Sequence, residues 1–326
     1  MVAFTDGTSR SRFMRRFRPP PTPEPPPAGP PLPMGRRIEL PGRGTTFVRE
    51  VAGPPGAPTL LLLHGWIASG GLNWFTSFEP LGEHFRVLAI DHRGHGRGIR
   101  SWRRFTLSDC ADDAAALLEE LDTGPVIAAG YSRGGPIAQL LWKRHPELVD
   151  GLVLAATGWS FVPVERERYI FTTGMAALAG TTLAGELLGH LPAEVVRRLA
   201  PPEVQRVRPN SLNRWAAAEM RRHSYRAVAQ AGVAVGNYDA SRWLDQIDVP
   251  AAVVVTTKDR GIPAESQLKM ARAVKGASVF PFDDGHLACA RPAFGEVLLQ
   301  ACHDVAERLE APRPRSRSRL LARSRG

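Results

Sequence analysis

From Thr46 onward the chain alternates short apolar runs with helical periodicities. The runs are TTFVREVA, TLLLLHG (59–65), FRVLAIDHRG (85–94), PVIAAGYS (125–132), GLVLAAT (151–157), PAAVVVTT (250–257) and ASVFPF (277–282). Several are apolar at successive rather than alternate positions, the pattern of parallel strands covered on both faces. The helix patterns between them carry start signals. Thr106 and Asp109 are spaced as a capping-box variant ahead of CADDAAALLEELD, Pro146 opens a short turn, and Pro292 opens a last helix through Leu309. This alternation predicts an α/β fold built on a mostly parallel sheet.

One interval breaks the rhythm. Between the runs ending at Thr157 and starting at Pro250 lie 92 residues, whereas a crossover helix with its loops uses about 20–30, leaving roughly 60–70 in surplus. They read as helices: a segment after Pro163, the small-residue stretch IFTTGMAALAGTTLAG, then PAEVVRRLA, SLNRWAAAEMRRHSYRAVAQ and a last piece before Trp243. The small-residue stretch, Ile170 to Gly185, is shorter than the roughly 20 residues a membrane-spanning helix needs and predicts one or two buried helices. A helical insertion at the sheet edge lies over the carboxyl ends of the strands, where ligands bind in open α/β sheets, so it is a candidate lid.

Composition locates the folded part. Of 326 residues 43% are hydrophobic, enough for a substantial core. The net charge of +10 suggests nucleic acid until it is divided along the chain. Residues 1–40 hold seven Arg against three acids and residues 310–326 hold six Arg against one, so the remainder is nearly neutral at +1. Both ends, one arginine- and proline-dense and the other Arg/Ser-rich, are predicted to be disordered tails. The expected organisation is a core of residues 41–157 and 246–309 with the helical insertion at 158–245. No specific nucleic-acid binding is expected, and the tails are candidates for weak contact with an anionic membrane surface. No apolar stretch follows Arg10 to Arg18, so no secretory signal is expected, and Met34 is an alternative start. Three scattered cysteines form neither a disulfide framework nor a zinc pattern, which fits a reducing cytoplasm and no metal.

Candidate chemistry begins at GYSRGG, 130–135, where Ser132 follows an apolar strand and precedes a helix pattern. A strand-to-helix turn exposes a serine hydroxyl in a strained backbone, and the helix N-terminus behind it favours developing negative charge. A base for that serine is His286, in a loop directly after the last strand pattern, and an acid is Asp259, just past a buried strand. Asp239, Asp245, Asp283 and Asp284 compete with Asp259. Gly65 lets the chain turn after a strand so that the backbone N–H of Trp66, with that of Arg133, can face a reacting oxygen. The Gly-x-Gly of AIDHRGHGRG lacks the third glycine and the following helix of a dinucleotide site.

HGW at 64–66, DHRGHG at 91–96, GYSRGG at 130–135, KDRGIP at 258–263 and DGH at 284–286 together resemble the α/β-hydrolase superfamily, in its capped serine esterase or lipase-like branch of actinobacterial type. The resemblance spans about 60 to 290 and omits both tails. It implies the α/β-hydrolase fold, with helices on both faces of the sheet and the cap inserted after the sixth strand. It also implies a triad of Ser132, Asp259 and His286, an oxyanion hole at Trp66 and Arg133, a small-molecule acyl substrate and no cofactor. Relatives with aspartate at the elbow displace at carbon, whereas serine attacks carbonyls. The expected activity is hydrolysis of an apolar carboxylic ester through an acyl-serine. The same triad also serves thioester, lactone or C–C bond hydrolysis, perhydrolysis and acyl transfer, and the same fold serves non-catalytic binding. Trp66, Trp74, Phe75 and Trp159 are candidates either for an acyl pocket or for plain core. Where many relatives carry Met, Leu or Gln, Arg133 either reaches the pocket and favours an anionic substrate or pairs with an acid elsewhere. Cys289, three residues from His286, is either thiol-reactive or buried and inert.

Overall fold

A computed structural model describes residues 29–162, 164–188 and 211–310. Its strands are β1 (Gly35–Leu40), β2 (Gly44–Val51), β3 (Thr59–Leu63), β4 (Arg86–Asp91), β5 (Val126–Tyr131), β6 (Val149–Ala155), β7 (Ala251–Thr256) and β8 (Ser278–Phe282). They form one sheet in the order β1-β2-β4-β3-β5-β6-β7-β8. The β1/β2 and β2/β4 pairs are antiparallel, and every other pair is parallel. β3, β5 and β7 are buried at every residue, as their uninterrupted apolar runs predict.

Helices cover both faces. On one, Leu60, Leu62, Val153 and Val254 pack with α1 (Gly70–Trp74), α2 (Phe78–Gly82) and α9 (Pro292–Glu310) through Trp74, Phe78 and Phe294. On the other, Leu61, Leu63, Leu154 and Val253 pack with α3 (Leu107–Glu120), α4 (Gly134–Arg144) and α8 (Ala264–Ala273) through Leu117, Ile137 and Met270. Successive strand residues thus feed different cores. The capping box of α3 forms as predicted. The Thr106 hydroxyl accepts from the Asp109 N–H (3.3 Å), and the Asp109 carboxylate accepts from the Thr106 N–H (2.7 Å).

Two expectations change. β1 lies within the residues assigned to the N-terminal tail, 1–40. Its sequence GRRIEL buries only Ile38 and Leu40 and exposes Arg36, Arg37 and Glu39, a one-sided antiparallel strand. This added strand makes Val149–Ala155 the sixth. The tail sequences 1–28 and 311–326 lie outside the described residues.

The interval after β6 holds α5 (Glu165–Leu188), α6 (Ser211–Met220) and α7 (Tyr225–Gly236). α5 joins the segment after Pro163 and the small-residue stretch into one helix, and it is not the buried helix expected. Of its described side chains Ala179 and Thr182 are buried, while Tyr169 and Ile170 are exposed. Ala, Gly and Thr carry too little apolar surface to drive burial. PAEVVRRLA lies outside the described residues. No described helix is long and apolar enough to cross a membrane. The interval closes on its own stem: Ser160 bridges Asp239, and the Ala240 N–H donates to the Trp159 carbonyl (2.9 Å). α7 is seated on the loop after β4. The Ser224 N–H donates to the Gly94 carbonyl (2.9 Å), and the Arg226 guanidinium donates to the carbonyls of Ser101 and Trp102.

Candidate active site

β5 ends at Tyr131 and α4 begins at Gly134, so two residues make the whole turn. Ser132 takes φ 51°, the left-handed region, at a cost of about 1–3 kcal/mol for a residue with a side chain. The surrounding bonds hold it there. Its N–H donates to the Ala155 carbonyl (2.9 Å), and its carbonyl accepts from the Gly135 N–H (2.9 Å) and the Thr157 hydroxyl (2.7 Å). Thr157 carries no signature in the sequence; only the fold brings it to the elbow.

Gly134 is fixed by close approach. A Cβ there would lie 1.9 Å from the Leu63 carbonyl oxygen, which belongs to a central strand and cannot yield. Gly→Ala in a helix ordinarily stabilises by about 1 kcal/mol. Gly134→Ala is instead expected to destabilise by about 3 kcal/mol or more. Gly180→Ala, in α5 with open space around the new methyl, is expected to keep the ordinary sign. Urea denaturation of both variants checks the contrast; equal effects would refute the steric account.

Three strands bring the predicted residues together. The Ser132 hydroxyl lies 3.0 Å from Nε2 of His286, in the loop after β8. Nδ1 of His286 lies 2.7 Å from Oδ2 of Asp259, in the loop after β7. Because the carboxylate accepts from Nδ1–H, Nε2 carries the lone pair and accepts from the Ser132 hydroxyl. Asp259 is buried and fully engaged: Oδ1 accepts from the N–H groups of Gly261 (2.8 Å) and Ile262 (2.9 Å), and Oδ2 also accepts from the Thr256 hydroxyl (2.9 Å). Burial pushes its carboxyl upward, but His286, the Ile262 N–H and Thr256 outweigh that and hold it below the ordinary 3.8. Gln267 steadies Thr256 in turn, accepting from its N–H (3.1 Å) and donating to its hydroxyl (2.9 Å). The Tyr131 hydroxyl donates to the His286 carbonyl (2.9 Å), tying the histidine loop to the elbow strand.

Three of the four competing acids are engaged elsewhere. Asp283 pairs with Lys258 (2.7 Å), Asp284 with Arg291 (2.6 Å), and Asp239 accepts from the Ser241 N–H (2.8 Å). Asp91 accepts from the N–H groups of Gly70 and Arg97 (both 2.7 Å), so the glycine-rich DHRGHG turn is braced from within.

The HGW loop borders the serine: a Cβ on Gly65 would lie 3.4 Å from that of Ser132. Asn73 holds this loop by accepting from the Gly65 N–H (2.9 Å). The Trp66 indole donates to the Val228 carbonyl of α7 (2.8 Å) and meets Phe171 of α5 edge-on at 6.3 Å. Of the other aromatic candidates, Phe75 is half-buried against Trp215 and Trp159 is half-buried at the stem of the interval. Trp74 is a correction. It is 0% exposed and packs edge-on to Tyr131 among the core residues beneath the site, so it lines no pocket.

Arg133 meets neither expectation. It is 0% exposed, and among the described residues none of its guanidinium nitrogens has a hydrogen-bond partner. Cys289 is half-buried, and desolvation pushes its thiol up to about 12, which favours the inert alternative.

The comparisons with known proteins agree with this architecture. A family model described as alpha/beta hydrolase fold matches residues 58–291. The AB hydrolase superfamily protein YisY of Bacillus subtilis is 27% identical over 259 residues, covering 78% of this chain and 92% of YisY. The bifunctional esterase/perhydrolase DCH of Acinetobacter calcoaceticus is 27% identical over 241 residues, covering 71% and 85%. Among solved structures, a hydrolase from Pseudomonas aeruginosa aligns with TM-score 0.64 at 25% identity, over 82% of this chain and 97% of that one. The esterase EaEST from Exiguobacterium antarcticum shares the fold with TM-score 0.67 at 22% identity, over 83% and 100%. With the match running from the start of β3 through the histidine loop, the chain belongs to the alpha/beta hydrolase fold family.

Proposed function

We propose that the protein is a serine hydrolase that cleaves an apolar carboxylic ester through an acyl-serine. The observation that carries this reading is the unbroken chain from the Ser132 hydroxyl through His286 to Asp259, assembled from three strand ends around a serine at φ 51°. His286 takes the hydroxyl proton at Nε2 as Ser132 Oγ attacks the ester carbonyl. Asp259 keeps the proton on Nδ1 and stabilises the imidazolium. The tetrahedral oxyanion faces the backbone N–H groups of Trp66 and Arg133, neither of which donates to a backbone carbonyl among the described residues. His286 then protonates the departing alcohol. In the second half it takes a proton from water, hydroxide attacks the acyl carbonyl, and the proton returns to Ser132 as the acid leaves.

The helices between β6 and β7 act as the cap. Supporting this, α7 sits on the Gly94 loop and on Trp66, and the Cα of Gly232 faces Trp66 and Met175 with no room for a methyl group. Trp66, Phe171 and Met175 give that region an apolar lining suited to an acyl chain. The relatives described as esterases point the same way. The test is a panel of p-nitrophenyl esters from acetyl to dodecanoyl. Turnover of one or more by the purified chain, with a preference for acyl length, is expected. Inactivity on every ester alongside turnover of lactones or thioesters would replace the ester reading.

A further inference from the structure

We propose that Arg133, together with the imidazoles of His92 and His95, forms a buried binding site for one small monovalent anion of the halide class. The inference starts from a charge without a counter-charge. Arg133 is fully enclosed and has no hydrogen-bond partner among the described residues. Burial lowers its pKa to about 10, which leaves the guanidinium charged at neutral pH. The acids on this side are spoken for: Asp113 is held by Arg43 and Arg93, and Asp91 by two backbone N–H groups. The neighbouring Cys110 thiol, pushed up to about 12 by burial, stays neutral. Desolvating a guanidinium with nothing opposite it is strongly unfavourable.

The charge of Arg133 acts on four imidazoles, those of His64, His92, His95 and His223. The His64 ring lies tilted beside His92 (ring centroids 4.5 Å) and His95 (5.7 Å), and His95 lies 5.3 Å from His223. Burial lowers the basicity of all four, and the Arg133 charge lowers it further, so they are neutral. Their tautomers follow from their bonds. His64 Nε2 accepts from the His92 N–H, which leaves its Nδ1–H to donate to the Gly65 carbonyl. His95 Nδ1 donates to the Arg93 carbonyl, leaving Nε2 as an acceptor. His223 Nδ1 accepts from the Gly96 N–H, and its remaining N–H is turned to the Ile67 backbone. His92 has one N–H and one lone pair, and both of its ring nitrogens are unpartnered among the described residues, as is His95 Nε2.

The donors left over are five guanidinium N–H groups and that of His92; the acceptors are single lone pairs on His92 and His95. A surplus of donors beside a positive charge calls for an acceptor-only, negatively charged guest. A metal cation would be repelled by Arg133. A dianion would reverse the imbalance rather than cancel it, and the full burial of Arg133, His92 and His95 disfavours a bulky guest. Bound there, the ion would steady the His64 ring and the Gly65 turn bonded to it. The site uses the side chain of Arg133 and not the backbone N–H assigned to the oxyanion, so it stands or falls separately from the proposed ester chemistry.

The test uses the full chain purified throughout in sodium bromide and crystallised from it, with diffraction measured at the bromine edge. An anomalous peak within hydrogen-bonding distance of the Arg133 guanidinium is expected. Water alone at that position, or bromide confined to the surface, would overturn the proposal. In solution, the thermal midpoint is expected to rise by about 2 °C or more in bromide over sodium gluconate at equal ionic strength. Arg133→Met is expected to lose that halide-specific rise while being at least as stable as the native chain in gluconate. An equal rise in both proteins would contradict the site. Should the variant fail to fold, the crystallographic result on the native chain decides.

Discussion

Replacing Ser132 with Ala is expected to lower ester turnover by about 10⁴-fold or more while leaving the protein folded. The hydroxyl is the atom that bonds to the acyl carbon in the proposed mechanism, and nothing else at the site can substitute for it. Cys289, the thiol nearest in sequence to His286, is held at about 12 by burial and offers no thiolate. The fold should survive because the elbow is held by backbone groups and by Thr157, not by the serine side chain. Ala accepts the left-handed φ of 51° about as poorly as Ser, so little stability changes hands. The measurement is kcat on the best ester of the panel together with a thermal melt. Turnover within tenfold of the native rate, in a protein that melts normally, would remove Ser132 from the chemistry.

Asp259→Asn is expected to lower kcat by about 10³–10⁴-fold with KM little changed. Two backbone N–H groups, from Gly261 and Ile262, claim one oxygen of the acid. The Asn carbonyl would take that position, which turns its NH₂ toward His286 Nδ1. Nδ1 must then accept, so the ring proton moves to Nε2 and faces Ser132, where a lone pair is needed. The substrate-binding surface is untouched, hence the unchanged KM. The same substitution has a pH signature. The folded-state carboxyl of Asp259 lies below its ordinary 3.8, so the stability contributed by the ionised acid is full above that value and is lost as the pH falls through the lower folded value. The stability gap between the native protein and D259N should therefore narrow on acidification in that range. A gap that widens there would assign the wrong sign to the interaction.

The parts of the fold legible in the sequence are those where burial is complete. β3, β5, β6 and β7 are covered on both faces, so their residues are apolar almost without interruption and stand out between turn signals. β1 escaped because a strand with one buried face needs only alternate apolar residues, and GRRIEL supplies two of them after a proline-rich run. α5 was recognised as helix but assigned the wrong surroundings, since small residues are compatible with either exposure or burial.

At the candidate site, Ser132, Asp259 and His286 were readable because each follows a strand pattern, and the fold brings strand ends to one edge. The residues that hold them were not. Thr157, Asn73 and Gln267 reach their partners across 25, 8 and 11 positions of the chain, and no local spacing announces them. Trp74 illustrates the same limit from the other side: an aromatic near a catalytic motif reads equally as pocket or core, and only packing beneath Tyr131 assigns it to the core. The isolation of Arg133 depends on where Asp113 spends its charge, on Arg43 and Arg93, which is a fact of three-dimensional pairing.

The central claim is that Ser132 is an activated nucleophile, and the measurement that tests it most directly is covalent labelling of the purified chain with a fluorophosphonate, followed by peptide mapping. The account predicts a single adduct on the Ser132 peptide, absent from the Ser132→Ala protein. A folded native chain that takes no label, or is labelled equally in the variant, would contradict it.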